Sequence, residues 1–203
     1  MKMNISKVAL ALLSLCNSPA TRSQTAASVD ILANQLQREH AAILSAKTPQ
    51  SKAAHTYLLN NAADRFAYAL NQTGNRDGKF TFDWEAWKKS TTPEIQMANQ
   101  YGASILWCEY DGEWTVSPQG YLDYLSELPE GRYAEEAWWR GKLGHTLNAC
   151  LDAEGSKEET AGFVNDYEMF LAHFPHGKHE TEARKLLKEF QSDFESYKQQ
   201  EKQ

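Results

Sequence analysis

The chain has 203 residues and a net charge of −6, enough for one domain or one and a half. Its acidic surface carries no cluster of Lys and Arg, which excludes the phosphate-tracking contacts of a nucleic-acid binder and adhesion to anionic lipid. Aromatic residues are dense, with six Trp: Trp84, Trp87, Trp107 and Trp114 in the middle third, then Trp138 and Trp139.

The first 20 residues read as a secretory signal. Lys2 and Lys7 make a positive start, 8–15 is an apolar run, and Ser18-Pro19-Ala20 offers small residues for cleavage. Thr25-Ala26-Ala27 is a second cut, which would extend the signal to 27. The apolar run is far short of the ~20 residues that span a bilayer. The segment ending in Cys16 resembles a lipoprotein signal, but Leu15 stands where a small residue is expected. Membrane attachment is therefore expected only if Cys16 is acylated.

An N-terminal helical region is expected over 28–110. Val29, Leu32, Leu36 and Ile43 make one helical stripe. Thr48-Pro49 is a capped helix start, leading to a stripe of Ala54, Leu58, Ala62, Phe66 and Ala69. A polar loop spans 74–78. Thr92-Pro93 reads as a second capped start, with Ile95, Ala98, Tyr101 and Ile105 behind it. The segment 108–116 reads as a connector. No segment shows the alternation and turn signals of a strand hairpin, so the mature chain is expected to be all-α.

The C-terminal part contains a repeat. The stretch 121–137, YLDYLSELPEGRYAEEA, recurs 46 residues later at 167–183 as YEMFLAHFPHGKHETEA. Tyr121, Tyr124, Leu125 and Leu128 lie on one helical face, as do Tyr167, Phe170, Leu171 and Phe174. Pro129 and Pro175 break the helix. Gly131 and Gly177 are expected to take the positive φ of a tight reversal. Ala137 and Ala183 are small enough to let a neighbouring helix approach. Each copy predicts a helix–turn–helix hairpin, and such hairpins stack because one alone cannot bury its apolar face. The partner helix of the first copy is expected over 133–151, with Trp139, Leu143, Leu147, Cys150 and Leu151 inward. Ser156 and Glu159 form a capping box before the second copy. The last helix leads into a polar tail, 197–203.

This pattern resembles the tetratricopeptide-like repeats of bacterial cell-envelope proteins, such as the lipoprotein of outer-membrane β-barrel assembly and the coordinator of the Tol–Pal system. Tyr167, Phe170, Leu171, Pro175, Gly177, Glu182 and Ala183 carry the likeness fully, and their counterparts in the first copy nearly so. The period exceeds the usual ~34 residues, with the extra residues placed around 147–158. The resemblance implies tetratricopeptide-like hairpins over 117–196, stacked as a short solenoid. It implies scaffolding work on a protein or peptide partner in the periplasm or at the outer membrane.

The chemistry-bearing residues point the same way. Adjacent helical residues diverge by about 100°, so Trp139 is expected inside and Trp138 partly outside. Trp138 with Tyr121, Tyr124 and Tyr133 would line a partner-binding groove. Cys108 and Cys150 could form a disulfide in an exported protein. Thr73, Asn75 and Asp77 sit where a calcium loop has ligands 1, 3 and 5, but position 12 is Trp84 and Glu85 is one place late. That reads better as a polar turn. His173, His176 and His179 are at zinc-like spacings, but the Pro175 break lies between them, which favours plain turn residues. There is no nucleophile elbow, phosphate loop or HExxH pair. No cofactor is expected. The rival reading is a wall-glycan enzyme using two of Asp77, Asp83, Glu85, Glu109, Asp111 and Glu113.

Overall fold

The computed structural model describes residues 22–74, 83–109, 112–144 and 157–200. Helices α1 (Arg22–Ser45), α2 (Pro49–Gly74) and α3 (Trp84–Gln100) lead to a two-stranded sheet, β1 (Ile105–Cys108) and β2 (Glu113–Val116). Then come α4 (Gln119–Glu127), α5 (Ala134–Trp138) with a π-helical turn Trp139–Leu143, α6 (Lys157–His173) and α7 (Glu180–Gln200). The chain is mainly helical. Residues 1–20, read above as a secretory signal, and the tail end 201–203 lie outside the described residues, as do Ser156, Leu147 and Leu151.

Two local expectations fail for identifiable reasons. The segment read as a connector is an antiparallel hairpin, with Ile105 facing Val116 and Trp107 facing Trp114. Gly102 (φ 85°) ends the helical path and Gly112 (φ 67°) helps turn the hairpin. Each strand has only four residues, too few for alternation to stand out. Thr92-Pro93 also starts nothing. Helix α3 starts at the Asp83 cap, whose Oδ1 accepts the Ala86 N–H at 3.0 Å, and it runs through Pro93. The hydroxyls of Thr91 and Thr92 donate back to the carbonyls of Trp87 and Lys88, which steadies the turn ahead of the proline. The Thr48 cap does form, with the Ser51 N–H at 3.1 Å from Thr48 Oγ1.

Side-chain amides join the sheet to the helices. Asn71 is buried and exchanges two bonds with Trp114, Nδ2–H to the carbonyl at 2.8 Å and Oδ1 from the N–H at 2.9 Å. Asn99 does the same with Ile105 at 3.0 and 2.9 Å. Around them lies the first core, where Leu36, Phe66, Ala62 and Ala98 are fully enclosed beside Trp87 and Trp114.

The two copies of the repeat fold alike. Leu128 N–H bonds to the Tyr124 carbonyl and Phe174 N–H to that of Phe170, at 2.8 and 2.9 Å. The bonds Gly131 to Leu128, Ala134 to Gly131 and Ala137 to Tyr133 each recur 46 residues on. Tyr121 and Tyr167, Tyr124 and Phe170, Leu125 and Leu171, and Ala137 and Ala183 are all buried. Each large buried side chain contributes about 1.5–3 kcal/mol. A second core joins Tyr121, Tyr124 and Ala137 to Ala53 and Tyr57 of α2, and a third joins Tyr167, Phe170, Ala183 and Leu186. Trp138 and Phe174 pack on both, so the two hairpins touch there.

Candidate interaction site

The site grows from the two turns. Neither turn glycine has positive φ; only Gly102 and Gly112 do among the described residues. The reason for glycine is space. A Cβ at Gly131 would strike the Tyr124 hydroxyl, and one at Gly177 would strike the Glu135 carboxylate. Those oxygens cap the next helix. Tyr124 Oη accepts the Tyr133 N–H at 3.0 Å. Glu135 Oε1 accepts the His179 N–H at 2.9 Å. Pro129 and Pro175 are exposed on the turns.

Polar side chains then run from the second turn across to α2. Glu136 accepts from Arg140 Nε at 2.7 Å, from Lys178 Nζ at 3.1 Å and from His179 Nε2–H at 2.9 Å. Arg140 also donates to Asp64 of α2 at 3.1 Å, and Asp64 accepts the Tyr121 hydroxyl. Burial alone would raise the Glu136 carboxyl, but the bonds from His179, Arg140 and Lys178 outweigh it and hold it at about 2. At Asp64 burial dominates and raises the carboxyl despite Tyr121 and Arg140. Burial, then the Glu136 charge, pushes the Tyr57 phenol up to about 12. The arrangement is a latch of paired ions: each carboxylate is matched to donors on another element, which suits joining elements rather than acid–base chemistry.

The proposed groove needs correction. Tyr121 and Tyr124 are 2% and 1% exposed, so they belong to the core and line no groove. Tyr133 is half-buried and stacks on Tyr57 at 4.4 Å. Trp138 is half-buried too, edge-on to Phe174 at 5.7 Å, with His173 5.1 Å away and Lys142 Nζ 4.0 Å above its ring. Trp139 is also half-buried, stacked on His179 at 4.4 Å. Both tryptophans thus face the second hairpin. A π turn takes over from the α-helix at Trp139.

The remaining candidates separate. Cys108 is disulfide-bonded; Cys16 and Cys150 lie outside the described residues. Of the calcium-like set, Asn75 and Asp77 also lie outside them. Thr73 donates to the Leu70 carbonyl and accepts from Trp87 Nε1, and Glu85 is exposed in the first turn of α3. No group of three or more His, Cys, Asp or Glu could hold a metal among the described residues. The three histidines diverge: His173 lies on Trp138, His176 is 3.9 Å from Glu180, and His179 binds Glu136. Of the acids in the rival reading, Asp83 is a helix cap, and Glu109 is exposed and bonded to Lys88 at 2.8 Å. That bond lowers the Glu109 carboxyl. Glu113 faces Cys108 in the sheet; Asp77 and Asp111 lie outside the described residues.

Sequence reasoning missed the Asp64–Arg140–Glu136–His179 latch. Its one local signal was the i,i+4 pair of Glu136 and Arg140. No family model matches the chain, and comparison with curated proteins and with solved structures gave no match.

Proposed function

We propose that this chain is an exported, non-enzymatic scaffold of the bacterial cell envelope, built on tetratricopeptide-like hairpins that begin a short solenoid and bind a protein partner. The observation that carries this reading is the repetition of one turn, bond for bond, in two hairpins that meet at Trp138 and Phe174. Stacked hairpins of this kind present side chains on a continuous surface. The bonded Cys108 supports an oxidising compartment, and the leader-like N-terminus agrees with it.

The test is capture from an envelope extract by the wild-type chain and by Trp138→Ala. A defined partner retained by the first and lost by the second is expected. Identical capture by both would overturn the assignment of Trp138. Thiol counting gives a second check. Protein taken from the periplasm should show no alkylatable thiol until reduced, and two free thiols there would remove the support from Cys108.

A further inference from the structure

The cations at the hairpin junction fall into two sets. Arg140, Lys178 and His179 are each matched to a carboxylate. Lys142 and His173 are not: among the described residues neither makes a hydrogen bond or ion pair, and both lie against the one indole of Trp138. Lys142 comes from the π turn and His173 from the end of α6, so each hairpin supplies one. Two acids of the junction are already engaged. Glu136 takes three donors and Glu135 takes the His179 N–H. Among the described residues, then, no carboxylate is paired with Lys142. Trp138 is held by Phe170 and Phe174, so the platform is rigid before anything binds, which lowers the ordering cost.

We propose that Trp138, Lys142 and His173 form a docking point for an acidic peptide segment, with a Glu or Asp side-chain carboxylate received between the lysine and the imidazole. This rests on the scaffold reading and names the chemistry of its partner. Lys142 supplies the charge, and the Trp138 ring offers an apolar wall to the methylenes of the incoming side chain. The net charge of −6 does not forbid it. At physiological salt, charges beyond about 8 Å are largely screened, so the local cation decides.

The experiment uses a labelled hexaglutamate peptide with an amidated C-terminus, read by fluorescence anisotropy at physiological salt on the full chain. Hexaglutamine and hexalysine peptides of equal length are the comparisons. Saturable binding of hexaglutamate alone is expected. Lys142→Glu should weaken it at least tenfold, Lys142→Arg should keep it within a few-fold, and Arg132→Glu, a cation on Tyr133, should leave it unchanged. Thermal melts confirm that each variant is folded. Equal binding of hexaglutamine, no binding of hexaglutamate, or indifference to Lys142→Glu would overturn the proposal. If hexaglutamate fails while Trp138→Ala still loses a captured partner, the acidic chemistry falls and the scaffold reading stands.

Discussion

The two turns share a backbone and differ in who caps them. In the first, the N–H of Tyr133 is met by Tyr124 from the same hairpin. In the second, the equivalent N–H of His179 is met by Glu135 from the preceding hairpin. The tyrosine at 124 becomes phenylalanine at 170, which removes the internal acceptor and leaves the position to a neighbour. The first hairpin is closed on itself, and the second is completed only by contact. One side-chain oxygen therefore distinguishes a hairpin that caps its own turn from one whose turn is capped by its neighbour.

This contrast can be broken in steps. The largest effect is expected from Gly131→Ala, because its Cβ meets the Tyr124 hydroxyl and also Leu128 Cβ at 3.0 Å and the Leu128 carbonyl at 3.1 Å. Chemical denaturation should show a loss of about 2–3 kcal/mol, in the range of overpacked sites. Tyr124→Phe removes one clash, so the double variant should lose less than the two single losses added together. A strictly additive result would deny that the hydroxyl sets the need for glycine.

Next comes Glu136→Gln, expected to cost about 2 kcal/mol at neutral pH as Arg140, Lys178 and His179 lose their counter-charge. The carboxyl is depressed in the folded state to about 2, so its contribution is present above the ordinary carboxylate range and drains away as pH falls from about 4.5 toward 2. Wild type and variant should converge at the acid end of a pH–stability curve. A constant gap would show that the charge is irrelevant. Asp64, raised by burial, acts with the opposite sign, so Asp64→Asn should steepen the acid loss.

Glu135→Ala is expected to cost about 1–2 kcal/mol, since it orphans a partly buried N–H. Amide exchange should quicken at His179 and leave Tyr133 untouched. Equal acceleration at both would erase the distinction between the turns. Gly177→Ala displaces the same Glu135 carboxylate, so it is expected to cost no more than Glu135→Ala, about 1–2 kcal/mol at most, since a flexible side chain yields there rather than backbone.

The hairpins were readable in sequence because their cause is local. Apolar spacing, a proline and a small alanine act within 17 residues. The role of the glycines was misread, since crowding by Tyr124 or Glu135 depends on how the chain folds back. The strands were invisible for a similar reason. Ile105 and Trp114 are held by Asn99 and Asn71, and the partner of Trp114 lies 43 residues away. Of the four groove residues, Tyr121 and Tyr124 lie in the core, because their spacing is that of a buried stripe. Trp138 and Trp139 are both half-buried against the second hairpin, so the expected split of one inside and one outside did not follow from their spacing alone. The latch joins residues up to 76 apart in sequence, and no motif announces it.

The amides of Asn71 and Asn99 have one more effect. Each occupies the backbone positions through which an incoming extended chain would zip onto the small sheet. Fibril-like growth and strand-donating partners are turned away at Trp114 and Ile105 unless an asparagine first lets go.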